Sequence, residues 1–162
     1  MLARFGILGL AWWRDAFASK RRVKIRSPML SDRFRATVEQ ENVEEATELF
    51  HEDATFRSPV LFKPYVGRDR VIKVLRAAER VLSSSGEFRY VHQLEDPSDR
   101  VAMLEFETVV DGKRVEGIDK LSFDGDGLIT ELKVMIRPAS ALQVVAARMA
   151  EELPRAGLTV PG

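Results

Sequence analysis

The chain has 162 residues, 45% of them hydrophobic and 31% charged, which fits one soluble globular domain large enough for a core of its own. It has no cysteine and two histidines, His51 and His92, so disulfides, thiolate centres and a cysteine nucleophile are excluded. A histidine-built metal centre is disfavoured, and no cofactor is expected. The net charge of zero is unevenly spread: residues 1–26 hold seven basic groups against Asp15 alone, and the rest holds 18 basic and 24 acidic groups. An acidic body argues against nucleic acid as a partner.

Residues 1–28 read as a basic N-terminal extension. Their apolar run, Phe5 to Trp13, is far short of the roughly 20 residues that span a bilayer as a helix. Ala16-Phe17-Ala18 has the form of a signal-peptide cleavage site, and Trp12 and Trp13 beside the basic cluster have the form of an interfacial anchor. Export or membrane contact therefore rests on this arm, if on anything. The leading expectation is a disordered extension on a cytoplasmic protein, with Met29 as a second place where translation could begin.

From Leu30 onward the pattern is regular. Phe34 and Val38, four apart in SDRFRATVEQ, predict a short helix capped by Ser31 or Asp32. Asn42 and Glu45 have capping-box spacing for VEEATELF, and His51 would sit at that helix's end. ATFRS predicts a short strand stopping at Pro59, followed by the loop PVLFKPYVG. Residues 68–82 predict a helix burying Val71, Val74, Leu75, Ala78 and Leu82. Four strands follow, at about 87–95, 100–111, 113–123 and 128–137. Asp111-Gly112 is the dipeptide of a two-residue hairpin. The DGDG at 124–127 reads as a turn, because the other ligands of a calcium loop are missing.

Pro138 closes the sheet. Ser140 with Gln143 predicts a second capping box, opening a helix whose stripe is Leu142, Val145, Met149 and Leu153. Residues 29–153 are thus one domain, and 154–162 read as a flexible tail. Helices followed by a meander predict an α+β, cone-shaped domain: helices packed on a curved, mostly antiparallel sheet, with an added C-terminal helix.

KRVEGIDKLSF (113–123) raises the question of function. By the period of two, Val115, Gly117, Asp119, Leu121 and Phe123 share the apolar face. Asp119 therefore lies where an ionised carboxylate costs several kcal/mol unless something answers it.

ELFHEDATFRSP (48–59), GRDRV (67–71) and VEGIDKLSFDGDGLITEL (115–132) together resemble the nuclear transport factor 2-like superfamily, in its SnoaL-like and ketosteroid-isomerase-like branch. The resemblance covers roughly residues 30–138 and speaks more to fold than to chemistry, because the fold hosts isomerases, cyclases, epoxide hydrolases and binding modules. It implies that Ile118-Asp119 matches the isomerases' Ile-Asp, whose aspartate stays protonated and hydrogen-bonds a developing oxyanion. It also implies that the isomerase base falls on Ser58 and the oxyanion tyrosine on Phe34, neither of which can do that work. The last-strand acid of the cyclases and hydrolases falls on Val134.

His92, in EFRYVHQL, shares a face with Phe88 and Tyr90 by the period of two. It is the tentative catalytic partner of Asp119, although two strand spacings, roughly 10 Å, separate them in a flat sheet. The expected walls of an apolar pocket are Phe34, Val38, Leu75, Phe88, Tyr90, Leu104, Phe106, Val115, Leu132, Val134 and Ile136, with Ser58 and Tyr65 at its mouth. Val101, Met103, Glu105 and Glu107, with Lys133, Met135 and Arg137, make a convex face suited to a homodimer. Two readings stay open. One is a cofactor-free isomerase, cyclase or hydrolase acting through Asp119 on a small hydrophobic cyclic substrate. The other is a non-catalytic ligand-binding or dimerisation module.

Overall fold

The computed structural model describes residues 28–159, so the expectations for the N-terminal extension lie outside the described residues, apart from residue 28, as do those for residues 160–162. The elements in chain order are α1 (Asp32–Glu39), α2 (Val43–Ala46), a 3-10 turn (Thr47–Leu49), β1 (Phe50–Arg57), β2 (Tyr65–Val66), α3 (Arg68–Leu82), β3 (Arg89–Asp96), β4 (Val101–Val110), β5 (Lys113–Phe123), β6 (Ile129–Arg137) and α4 (Ala139–Arg155). Strand order is β2-β1-β6-β5-β4-β3. β3 to β6 form an antiparallel meander, while β1 joins β6 in parallel. α3 packs on β1 and α4, and the buried apolar residues form one cluster between helices and sheet. Among the described residues no helix is long and apolar enough to cross a membrane.

Local chemistry accounts for most boundaries. Asp111 and Gly112 both have positive φ, the two-residue hairpin turn that Asp-Gly favours, and Val110 and Lys113 pair across it. In the DGDG turn the Asp124 carboxylate accepts the amides of Asp126 and Leu128, both at 2.9 Å. α3 runs from Arg68 to Leu82 as its apolar spacing predicts, burying Val71, Val74 and Leu75, although Val81 is buried more deeply than Leu82.

The caps differ from expectation. Neither Ser31 nor Asn42 makes a side-chain cap bond. The Ser31 hydroxyl instead donates to Glu95 at 3.0 Å and accepts from Gln93 at 2.8 Å, tying α1 to β3, while the Asn42 side chain bonds Glu45 directly. α4 begins at Ala139, before Ser140, so Ser140 lies inside the helix rather than capping it. β1 begins at Phe50, which makes His51 a strand residue and not a helix-end charge; its Nδ1 accepts the Asp53 amide at 3.1 Å. α4 also continues to Arg155, and Leu158 beyond it is buried, so the first part of the expected tail packs on the domain.

Candidate functional site

Between the curved sheet and the helices lies a cavity of about 210 Å³. It is smaller than the roughly 300–1,000 Å³ of sites for drug-sized ligands, so it suits a compact one. The sheet contributes Phe56, Tyr90, Asp119, Leu132, Val134 and Ile136, with Phe88 just before β3. α1 contributes Phe34 and Val38; α3 contributes Val74, Leu75, Ala78, Glu79 and Leu82; α4 contributes Val145, Ala146, Met149, Ala150 and Leu153. Ser58 to Leu61 and Tyr65 complete the wall at the β1–β2 connection.

Asp119 lies on β5, on the apolar face that its register predicts, and is buried. The Tyr90 hydroxyl donates to its Oδ2 at 2.5 Å, from two strands away. A flat sheet puts their backbones roughly 10 Å apart, and the long tyrosine on a curved sheet closes that span. Burial pushes the Asp119 carboxyl up to about 6, against the opposing pull of the Tyr90 hydrogen bond. Burial first, and then the Asp119 charge, drive the Tyr90 phenol well above its ordinary range. At neutral pH the tyrosine is therefore a fixed donor, and the aspartate is the group of the pair that titrates.

Two features aim Tyr90. A β-bulge lies between Tyr90 and His92: Tyr90 pairs with Phe106, but His92 pairs with Glu105, leaving Val91 as the extra residue. Arg35 of α1 then donates from Nη2 to the Tyr90 carbonyl at 3.0 Å and from Nη1 to Gln93 at 3.3 Å, with its guanidinium 5.9 Å from the centre of the Tyr90 ring. Below Tyr90, Gly117 leaves room for the Phe106 ring, since a Cβ there would stand 2.2 Å from Phe106 Cζ. Phe106 stacks on Phe88 at 5.4 Å and meets Tyr90 edge-on at 6.4 Å.

The same bulge overturns the placement of His92. The period of two turns odd at Val91, so His92 lands on the convex face, exposed, with Nδ1 2.8 Å from Glu105 Oε2. It cannot act with Asp119. Leu104, Phe106 and Val115 are also not cavity walls. They sit on the concave side but are fully buried in the core behind the lining residues. The other expected wall residues, Phe34, Val38, Leu75, Phe88, Tyr90, Leu132, Val134 and Ile136, border the cavity, as do Ser58 and Tyr65. Val134 pairs with Asp119 in register. Ser58 Oγ accepts the amides of Val60 and Leu61 at 3.0 and 3.2 Å, which shapes the loop.

Sequence reasoning did not single out Glu79, which borders the cavity from α3, or Arg35. Glu79 follows Leu75 by four residues, a spacing that places it on the inward stripe. Among the described residues no cluster of side chains is arranged to hold a metal ion.

A steroid delta-isomerase from Pseudomonas aeruginosa is 32% identical, with 78% of this chain and 90% of that one covered and a TM-score of 0.73. An uncharacterised protein with a cystatin-like fold from Silicibacter pomeroyi is 26% identical, over 77% and 85% of the two chains, at a TM-score of 0.71. An epoxide hydrolase/cyclase-like enzyme, SalBIII, from pyran ring formation in salinomycin shares the fold at 16% identity, over 69% and 90%, with a TM-score of 0.53. No curated protein matches the chain significantly in sequence. The SnoaL-like domain family matches residues 31–132, from the start of α1 into β6. With the helix-lined curved sheet and a steroid delta-isomerase similar over most of its length, this chain belongs to the SnoaL-like domain family, on the nuclear transport factor 2-like fold.

Proposed function

We propose that the chain is a cofactor-free enzyme that moves a proton on a compact, mostly apolar cyclic substrate, with Asp119 as acid–base and Tyr90 as the donor that holds it. The reaction class is isomerisation, cyclisation or hydrolysis. One observation carries the reading: the 2.5 Å hydrogen bond from Tyr90 to a buried aspartate facing an apolar cavity. A structural aspartate would be expected to grip backbone amides, and Asp119 is instead paired with a titratable side chain. A carboxyl near 6 is mostly ionised at neutral pH but readily protonated, so it can take a proton from a substrate and return it. Since Ser58 and Phe34 stand where the family resemblance puts a base and an oxyanion donor, the proton transfer falls to Asp119 itself. The similarity to a steroid delta-isomerase supports beginning with double-bond isomerisation, and the cavity volume supports doing so on one- and two-ring ketones.

The test is turnover and binding on the same preparation. In Asp119→Asn turnover should fall by about 10²–10⁴-fold, the usual reach of a general acid–base, while substrate affinity changes much less. The second reading, a non-catalytic binding module, is favoured by the Ser58 hydroxyl, already engaged by two backbone amides and a poor base in any case. Binding without turnover across cyclic ketones and epoxides would establish it and overturn the first.

We also propose a homodimer through the convex sheet face. Leu94, Met103 and Met135 are 70%, 41% and 42% exposed there, and the Arg89–Glu107 and Arg137–Glu116 ion pairs flank them. Exposed apolar side chains among paired charges give a face that a second copy can cover.

A further inference from the structure

The walls of the cavity carry polar groups that the Tyr90–Asp119 pair leaves unused. Tyr65 is 3% exposed, borders the cavity, and its hydroxyl has no hydrogen-bond partner in the protein. Glu79 Oε1 is likewise buried and unpartnered at the cavity wall. A buried donor or acceptor left unmade is expensive, and such groups are rare in folded proteins without a reason. These two share one otherwise apolar cavity.

Their positions are separated. Tyr65 pairs with Phe56, Phe56 with Leu132 on β6, and Val134 of the same strand with Asp119. Three interstrand spacings therefore lie between Tyr65 and Asp119, roughly 14 Å between backbones before curvature shortens it. Glu79 faces the cavity from α3, on the helix side rather than the sheet side.

The charge is one-sided. The charged residues lining the cavity are Asp119 and Glu79, both acidic, with no lysine, arginine or histidine among the described lining residues. Burial, and next the neighbouring Glu41, raise the Glu79 carboxyl, while the Val43 amide and Arg80 pull the other way. A carboxylate or phosphate brought into this space would meet two acids and no cation.

We propose that Tyr65 and Glu79 are specificity-determining residues, and that the ligand is a neutral or cationic ring compound with at least two separated polar groups. One of these groups, a hydroxyl or a protonated amine, donates to Glu79; an oxygen elsewhere on the ring system accepts from Tyr65. The proposal rests on the reading of this cavity as the active site, and narrows its substrate class.

The test uses four probes on one two-ring skeleton, followed by calorimetry on the full chain: 2-tetralone, and its derivatives bearing a hydroxyl, an aminomethyl or a carboxylate on the far ring. A hydrogen bond to a charged group is worth about a factor of ten or more in affinity, so the hydroxyl or the amine should bind at least tenfold tighter than 2-tetralone. The carboxylate should bind worst. In Glu79→Gln that preference should shrink to a few-fold, and in Tyr65→Phe all the ketones should weaken together. An amine preferred over the hydroxyl, and weakened by salt, identifies a cationic ligand; equal binding identifies a neutral donor.

Tyr65→Phe deletes an unsatisfied hydroxyl, so it should raise the thermal midpoint while weakening binding, a pairing that a purely structural role does not produce. A lower midpoint in Tyr65→Phe, a carboxylate that binds as tightly as the hydroxyl, or a ranking unchanged in Glu79→Gln overturns the proposal. Failure of all four probes to bind overturns it together with the cavity reading. Turnover that survives Asp119→Asn overturns the catalytic reading alone.

Discussion

One proton on Asp119 ties the stability of the fold to pH. Its carboxyl lies near 6 in the fold, above the roughly 3.9 of an unfolded aspartate. The folded state therefore holds the proton more tightly than the unfolded one. The stabilisation is fully present below about pH 4 and is lost as pH rises through about 6. The difference of two pKa units corresponds to about 3 kcal/mol. Asp119→Asn keeps an acceptor for Tyr90 and removes the ionisation. Relative to wild type, it should gain about 3 kcal/mol between pH 4 and 8, read from urea unfolding at several pH values. A constant difference across that range would mean that Asp119 does not titrate there. Tyr90→Phe removes the hydrogen bond that opposes burial. Carboxyl titration by NMR should then place Asp119 above its wild-type value, and a lower value would show that the tyrosine does not hold it.

At the scale of elements, β4 and β5 pair at Phe106 and Gly117 with no room for a side chain at the glycine. A Cβ at Gly117 would meet Phe106 Cζ at 2.2 Å and the Met135 carbonyl oxygen at 2.7 Å. The ring could tilt, but the backbone carbonyl could not move without disturbing β6. Gly117→Ala should lower stability by about 2 kcal/mol, the usual effect of overpacking, and should loosen Tyr90 through Phe106. Near-UV circular dichroism and denaturation would read both effects.

The bulge at Val91 marks where sequence reading ran out. α3 and the four meander strands were legible because each carries its own apolar period and its own turn residues. A bulge changes the face of every later residue, and EFRYVHQL contains neither a glycine nor any other sign of the extra residue. So Tyr90 was placed correctly and His92 was not. The Tyr90–Asp119 contact depends on curvature over three strands, which no local pattern encodes. Glu79 was legible by its spacing in α3, but a charged residue four after Leu75 reads as the edge of a stripe. The missing caps have a similar cause, because Ser31 spends its hydroxyl on Glu95 and Gln93, tertiary partners 64 and 62 residues away.

For the molecule as a whole, the homodimer proposed through the convex face predicts its state in solution. Leu94 pairs with Met103 and Ile118 with Met135, so two apolar pairs lie diagonally to one another on that face, beside Lys120, Lys133 and Glu105. Met103→Glu with Met135→Glu would place two charges in that patch. Light scattering should report a dimer for wild type at tens of micromolar and a monomer for the double variant; a monomeric wild type would dispose of the interface.

The parallel seam between β1 and β6 has a consequence of another kind. It pairs Phe56 with Leu132 across most of the domain's sequence, whereas every backbone pairing within the meander joins strands that are consecutive in the chain. Closing so long a loop is slow, so the meander should form first and β1–β2 dock last. The docking unit carries Phe56, Ser58 and Tyr65, one whole wall of the cavity. A part that joins late, held to the sheet by one parallel ladder and a two-residue edge strand, should also open before the meander does. Amide hydrogen exchange should therefore be faster in β1 and β2 than in β4 and β5, and a ligand held by Tyr65 should slow it. The route by which the chain folds would then also be the route by which its ligand enters and leaves.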